Sequence, residues 1–177
     1  TFGFRGITAG DGLKDKLAQE FGMKTDSFGF SYDKELYKPY KKKSAAKRVF
    51  FYARPVTPRR DFEMGILALD LLCQKMPEVE VVFAGWDVSE FKIPFKHQSL
   101  GIVSIDQLSK VYSQCDLCFV LSNTNLSLLP LEVMASNSVA VCSTGANSTW
   151  LVNKENSVLV DYDPHHIAET LEYYLKH

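Results

Sequence analysis

Residues 119–144 read FVLSNTNLSLLPLEVMASNSVAVCST. The apolar run Leu117 to Leu121 is short and bounded by Asp116 and Ser122, which suits a parallel strand covered on both faces. Ser122 to Ser127 carries five small polar residues in six, a loop composition. Pro130 fits the first turn of a following helix, where its missing N–H leaves nothing unsatisfied. Leu131 to Asn137 then makes a short helix, and Val139 to Cys142 returns as a second buried strand. The free N–H groups opening such a helix face the crevice beyond the carboxyl ends of the strands, a geometry that binds anions and phosphate above all. Glu132 lies just inside that turn. A carboxylate there repels phosphate, but it suits a ribose hydroxyl beside one.

The same rhythm extends in both directions. Upstream, Val49 to Ala53 is an apolar strand. Thr57 and Pro58 read as N-cap and first residue of a helix. Phe62, Ile66, Leu69, Cys73 and Met76 give that helix one buried stripe, and Pro77 ends it. Val79 to Ala84 is a strand closed by Gly85. Trp86 to His97 reads as a loop or insertion, and Leu100 to Val103 as another short strand. Ser104 and Gln107 form a capping box ahead of a helix that buries Leu108, Val111, Tyr112 and Cys115. Downstream, Val158 to Val160 is a last strand. Asp163-Pro164 caps a final helix buried along Ile167, Leu171 and Tyr174. Strand and helix alternate about five times, which predicts a Rossmann-like, doubly wound parallel sheet with helices on both faces.

The first 48 residues have a different texture. Gly10-Asp11-Gly12 lacks the later glycine of a dinucleotide fingerprint and reads as a turn capping the next helix. Leu13, Leu17 and Phe21 mark that helix as amphipathic, ending near Gly22. Ser27 to Phe30 is a short strand candidate. Leu36 to Arg48 contains Pro39 and six Lys or Arg residues with little apolar content. Such a stretch can touch acidic lipid or phosphate, but it reads foremost as a solvated linker.

Composition narrows the function classes. The 177 residues are 46% hydrophobic and 23% charged, ordinary for one globular domain. A net charge of -1 supplies no field to recruit nucleic acid or a membrane surface. The four cysteines lie in apolar helix or strand patterns and read as reduced, buried thiols of a cytosolic protein. No apolar run approaches the roughly 18 residues of a membrane span, and no signal peptide is visible. Thr1 is not an initiator methionine, which predicts a longer parent chain.

Three arginines stand out. Arg54 follows the Val49 to Ala53 strand directly, and Arg59 and Arg60 fall in the first turn of the next predicted helix. They border the same crevice as the Ser122 to Glu132 turn if the two strands are neighbours. Each alone reads as a surface arginine. Together, with two at a helix start where a cation is mildly unfavourable, they point to an anionic ligand. Cys115 and Cys118 sit at a helix-to-strand passage, the reverse of a thioredoxin-type motif, and read as core. The four histidines show no ligand spacing, and no nucleophile elbow or P-loop occurs. Trp86, Phe91 and Phe95 either line a pocket or pin the insertion to the body, the commoner use.

Taken together, these residues resemble the C-terminal, donor-binding half of GT-B glycosyltransferases of group 1, also called family 4. In that family a strand ends in Gly-Arg, and a Lys-Gly follows five residues after the arginine. Here Ala53-Arg54-Pro55-Val56-Thr57-Pro58-Arg59-Arg60 aligns there, with Arg59 or Arg60 in the lysine's place. The resemblance implies that these cations hold a diphosphate. Val81 to Gly85 resembles the next family strand and its glycine. Leu100 to Ser104, with Leu108 and Tyr112, resembles the segment whose start borders the nucleotide base. Glu132-Val133-Met134-Ala135 matches the second glutamate of the E-x7-E region, implied to bind the ribose hydroxyls. Thr124 stands where the first glutamate is expected, so its sugar contact does not carry over. Asn125-Leu126-Ser127-Leu128 replaces Gly-Phe-Gly-Leu, a Ser-rich turn similar to that of rhamnan-type rhamnosyltransferases.

The resemblance implies a nucleotide-sugar site formed by Arg54, Arg59, Arg60, Gly85, Val103, Thr124, Asn125, Leu126, Ser127, Leu128, Leu129 and Glu132. Arg54, Arg59 and Glu132 are its expected catalytic residues, with no metal and no cofactor. The expected activity is hexosyl transfer from a nucleoside-diphosphate sugar to a bacterial surface polysaccharide or a lipid-linked acceptor. Residues 1–40 are expected to be the tail of an N-terminal domain and its link, and 41–177 the donor domain, inactive alone. A cytoplasmic position is expected, with peripheral contact to the inner face of the plasma membrane. Two alternatives stay open: a non-catalytic relative used for interaction, favoured by Thr124, and another doubly wound nucleotide enzyme, disfavoured by the missing glycine fingerprint.

Overall fold

A computed structural model describes residues 3–177. The order begins β1 (Arg5–Ala9), α1 (Asp11–Phe21), β2 (Lys24–Phe28) and β3 (Arg48–Tyr52). A 3-10 turn (Pro58–Arg60), α2 (Phe62–Lys75), β4 (Glu80–Ala84), β5 (His97–Ser99) and α3 (Ile105–Tyr112) follow. The chain closes with β6 (Leu117–Val120), α4 (Leu129–Ala135), β7 (Val139–Ser143), β8 (Val158–Val160) and α5 (Pro164–Lys176). Six strands form one sheet in the order β5-β4-β3-β6-β7-β8, all pairs parallel. From β3 the chain winds to one edge through β4 and β5, then returns to β6 beside β3 and winds to the other. The topological switch point lies between β3 and β6, where open parallel sheets bind ligands beyond their carboxyl ends.

Alternating side chains divide the core into two layers. Val49, Phe51, Val81, Phe83, Leu117, Phe119 and Val141 face α2 and α5. Phe50, Val82, Ala84, Cys118, Val120, Ala140 and Cys142 face α3 and α4 with Tyr112 and Val133. Phe51 is the hub of the first layer. It stacks on Phe119 with ring centres 5.3 Å apart and meets Phe83 edge-on at 6.1 Å. Gly65 lets α2 close onto that ring, since a Cβ there would fall 2.0 Å from it.

Several expectations shift. The third predicted strand lies earlier, at His97–Ser99, so Leu100 to Val103 leads into α3 and His97 opens a strand. Parallel pairing of Val81 to Phe83 with His97 to Ser99 sets that register, overriding the apolar pattern. The capping box does not form. Ser104 is the N-cap residue but its hydroxyl takes no cap bond, and the Gln107 amide turns to Asp106. Tyr174 is exposed, and Leu175 is buried in its place. The Ser27 to Phe30 candidate is β2, shifted to Lys24–Phe28 and paired with β1.

α1 ends at Gly22 as read, yet buries no residue. Leu13 is 50% and Phe21 61% exposed. Phe91 and Phe95 pack on Phe62 and Phe83 and pin the insertion to the body. All four cysteines are free, three of them buried and Cys73 half-buried. Burial pushes the Cys115 and Cys142 thiols up to about 12 and Cys73 to about 11, which leaves them inert at neutral pH.

The basic stretch is not a solvated linker. Tyr37 is buried at 6% exposure. The Lys38 N–H donates to Ser109 Oγ (3.0 Å), the Tyr40 N–H to Ser113 Oγ (3.0 Å) and the Lys43 N–H to Gln114 Oε1 (2.8 Å). Lys42 pairs with Asp116 at 2.6 Å and Arg48 with Glu80 at 2.7 Å. Backbone donors carry this docking, and charge patterning does not reveal backbone partners.

Candidate functional site

Because β3 and β6 are neighbours, the segments leaving their carboxyl ends meet. Arg54 follows β3, and the Asn123 to Leu128 turn follows β6. Main-chain pairing continues past the strands, with the Asn123 N–H donating to the Arg59 carbonyl at 2.9 Å. Arg59 and Arg60 occupy the 3-10 turn rather than the first turn of α2, which begins at Phe62. Thr57 makes no side-chain cap. Asp61, at φ 48, ψ 48, reverses the chain between the two helical pieces. Its carboxylate accepts from the Asn123 amide at 2.6 Å, a further tie between the two loops.

The arginines reach across this seam. Arg59 Nη1 donates to Thr124 Oγ1 (3.1 Å) and, more loosely, to the Asn125 carbonyl (3.5 Å). Arg60 Nη2 donates to Ser127 Oγ (2.9 Å), and its guanidinium lies over the Tyr52 ring, 5.5 Å from the centre. Arg54 Nη1 approaches the Tyr52 hydroxyl at 3.5 Å. Among the described residues, none of the three makes an ion pair. Arg54 Nε and Arg60 Nη1 are buried without any hydrogen-bond acceptor. Burial first, then the charges of Arg59 and Arg54, pull the Arg60 guanidinium below its ordinary value. Three guanidinium groups held close with no carboxylate store repulsion that an incoming anion would relieve.

The turn supplies small polar groups. Ser127 sits at φ 59, stabilised by the Asn125 side chain, which accepts from the Ser127 N–H at 3.0 Å. Leu126 and Leu129 turn their side chains into the core, so only their main chain borders the crevice, while Leu128 is exposed. α4 begins at Leu129, two residues earlier than read, and spans only seven residues. A helix so short offers a weak dipole, so attraction for an anion falls on the arginines. Gly85 stands at φ 108 at the end of β4. A Cβ there would strike the Tyr52 ring at 2.6 Å. Val103 is half-buried ahead of α3 and packs on the second core layer.

Glu132 lies on α4, half-buried. Burial raises its carboxyl, opposed by a hydrogen bond from Tyr37. The Tyr112 hydroxyl is buried, lacks a partner and senses the Glu132 charge. Tyr52 meets Arg54 at its hydroxyl and Arg60 at its ring face. Neither Tyr37 nor Tyr52 is a site candidate from the sequence. The Leu36-Tyr37 pair inside the basic stretch was the available signal, since apolar residues there mark a docked segment.

Comparison with known proteins places the chain. Residues 47–172 match the family described as WsaF, C-terminal domain. The chain is 33% identical over 169 residues to the O-antigen biosynthesis protein RfbC of Myxococcus xanthus, covering 92% of this chain and 13% of that protein. The chain thus spans about an eighth of that relative's length. Among solved structures, S. aureus TarM in complex with fondaparinux, alpha-GlcNAc-glycerol and UDP superposes at TM-score 0.75. It is 15% identical and covers 97% of this chain and 36% of its own. Anabaena HepE in complex with UDP and glucose superposes at 0.74 with 17% identity, over 94% of this chain and 52% of its own. The C-terminal domain of the group 1 glycosyltransferase LpcC from Francisella tularensis superposes at 0.58 with 15% identity, over 82% of this chain and 97% of its own. The chain belongs to the WsaF C-terminal-domain family and has the architecture of the C-terminal domain of a GT-B glycosyltransferase.

Proposed function

We propose that this domain binds the nucleoside diphosphate of a sugar donor, and that the protein carrying it transfers the sugar to a surface polysaccharide or lipid-linked acceptor. The observation that carries this reading is the trio Arg54, Arg59 and Arg60, unpaired and partly orphaned at the switch point. The arginines would grip the diphosphate and stabilise the charge growing on it as the sugar leaves. Ser127 and the turn amides would add donors, and no metal is needed for that neutralisation. Glu132 would accept from the ribose hydroxyls, with Gly85 and Val103 bordering the nucleotide. Family membership and the polysaccharide role named for RfbC support the enzyme reading. The UDP complexes of TarM and HepE make UDP the first nucleotide to try. The Ser-rich turn favours a rhamnosyl donor, hence dTDP as the second. We place residues 1–40 as the end of a preceding domain and its link. We place the whole protein in the cytoplasm, in peripheral contact with the inner membrane face.

Titration of UDP, GDP and dTDP against the chain, followed by amide shifts, tests this. Shifts at Arg54, Arg59, Arg60 and Ser127 are expected. No response at millimolar nucleotide with the fold intact contradicts the reading.

A second reading is a non-catalytic interaction domain. Thr124 favours it, since its hydroxyl occupies Arg59 where a carboxylate contact to sugar would otherwise be expected. This reading predicts unchanged activity of the full protein on Glu132→Ala, whereas the enzyme reading predicts a large loss.

A further inference from the structure

Residues 38–48 hold six of the chain's 20 Lys and Arg residues and none of its 21 Asp and Glu. The fold separates the backbone of this strap from its charges. Ser109 Oγ donates to the Lys38 carbonyl (2.7 Å) and the Gln114 amide to the Lys41 carbonyl (3.1 Å). The main-chain N–H groups of Lys38, Tyr40 and Lys43 reach Ser109, Ser113 and Gln114 in return. The strap therefore lies beside α3 with its main chain satisfied and its lysine side chains left over. Lys42 turns inward, to Asp116 and to the Ala46 carbonyl (2.9 Å). Lys38, Lys41 and Lys43 are exposed, and among the described residues none of the three has an ion-pair partner. Lys110 of α3 joins them, its ammonium over the Tyr40 ring at 5.9 Å from the centre. Tyr40 is itself 36% exposed. The flank thus gathers ammonium groups around one amphipathic ring, on a chain whose net charge is only -1.

We infer that this strap is a docking surface for an anionic lipid bilayer, with the lysines meeting headgroup phosphates and Tyr40 entering the headgroup layer. The chemistry of the cations selects that partner. At the switch point, planar arginine forks gather at one seam, which suits a single diphosphate. Here separate ammonium groups on flexible stems are spread along an exposed flank, which suits many phosphates in a plane. An overall charge near zero gives no long-range pull, so the contact acts within a Debye length of a densely charged surface. Helix α3 runs back from the carboxyl ends of the strands, so contact along this flank leaves the crevice open. The inference rests on the peripheral membrane contact proposed above and names the face that makes it.

Sedimentation of the chain with phosphatidylcholine vesicles, with and without an equal share of phosphatidylglycerol, tests it. Binding is expected to the anionic vesicles alone, and it should disappear in high salt. Each lysine is worth about fivefold at such a surface, so Lys38→Gln, Lys41→Gln and Lys43→Gln combined should weaken binding about 100-fold. The same three positions changed to Arg should bind within about twofold of wild type. So should Lys16→Gln, Lys24→Gln and Lys154→Gln combined, an equal change of charge at exposed lysines outside the strap, again within about twofold. The strap is held by main-chain groups, so all these variants should melt with wild type. Anionic-vesicle binding that survives in the Gln strap variant puts the membrane contact on another face and overturns the inference alone. No binding to anionic vesicles also overturns it, while the donor reading stands or falls on the nucleotide titration. Heparin binding that is tighter than vesicle binding and falls in the Gln strap variant assigns the strap to an acidic glycan, and that result overturns the inference too.

Discussion

In the loops after β3, Arg54, Arg59 and Arg60 make no ion pair among the described residues, and two of their nitrogens are orphaned. On α4, Glu132 is half-buried, its carboxyl raised by burial and held back by Tyr37, and its short helix is tied down by serines. The first end is electrostatically unfinished, and the second is already ordered. Buried charge without a partner is expensive and persists where a ligand completes it. Ordered acceptors suit a neutral hydroxyl, which rewards geometry more than charge. The contrast suits the proposed roles, phosphate at the arginines and sugar hydroxyls at Glu132, and it gives each group its own signature on substitution.

The largest effect belongs to Arg60. Arg60→Met should lower pyrophosphate affinity by about 10- to 100-fold, the loss of one or two charge-assisted bonds. It should also raise the melting temperature, because a buried cation repelled by Arg59 and Arg54 is removed. Titration calorimetry and thermal melts of the same sample read both. A fall in both affinity and stability would break the contrast.

Glu132→Gln comes next, with about tenfold weaker nucleotide binding and unchanged pyrophosphate binding. Its stability effect depends on pH. Burial raises the folded carboxyl above its unfolded value, so the folded state keeps a proton that the unfolded state has lost. That contribution is present below the ordinary carboxylate range and is lost as pH rises through the raised value. The Gln variant should therefore melt higher than wild type at pH 7, with the advantage vanishing toward pH 4. By the same sign, the ribose preference of wild type should fade on acidification earlier than for an ordinary glutamate.

A smaller effect tests the departure at Thr124. Thr124→Glu would place a carboxylate against Arg59, which now donates to that position at 3.1 Å. Pyrophosphate affinity should fall several-fold at low salt and recover partly in high salt, as a half-exposed pair is screened. The smallest effect is structural. Ser109→Ala should cost about 1 kcal/mol by removing a buried hydroxyl that serves Lys38 and Ser136. Denaturant melts measure it.

The sheet was legible because buried parallel strands write themselves as short apolar runs, as at Val49 to Ala53 and Leu117 to Leu121. The arginine end was legible too, since Arg54 and the residues after Thr57 follow a strand directly, and β3 lies next to β6. What the sequence hid was tertiary. Pro58 starts a 3-10 turn that Asp61 breaks at positive φ, a conformation that no propensity for aspartate demands. Tyr37 hid among lysines, and its docking rests on backbone donors meeting serines some 71 positions later. Leu13, Leu17 and Phe21 write an apolar stripe along α1, yet among the described residues nothing buries it.

The most direct test of the two-ended crevice is amide mapping of the chain with pyrophosphate and then with UDP or dTDP. The account predicts that pyrophosphate moves Arg54, Arg59, Arg60 and Ser127 alone, and that the nucleoside adds Tyr37, Tyr112 and Glu132. Nucleotide shifts confined to some other face of the sheet, or none at millimolar ligand with the fold intact, would contradict it.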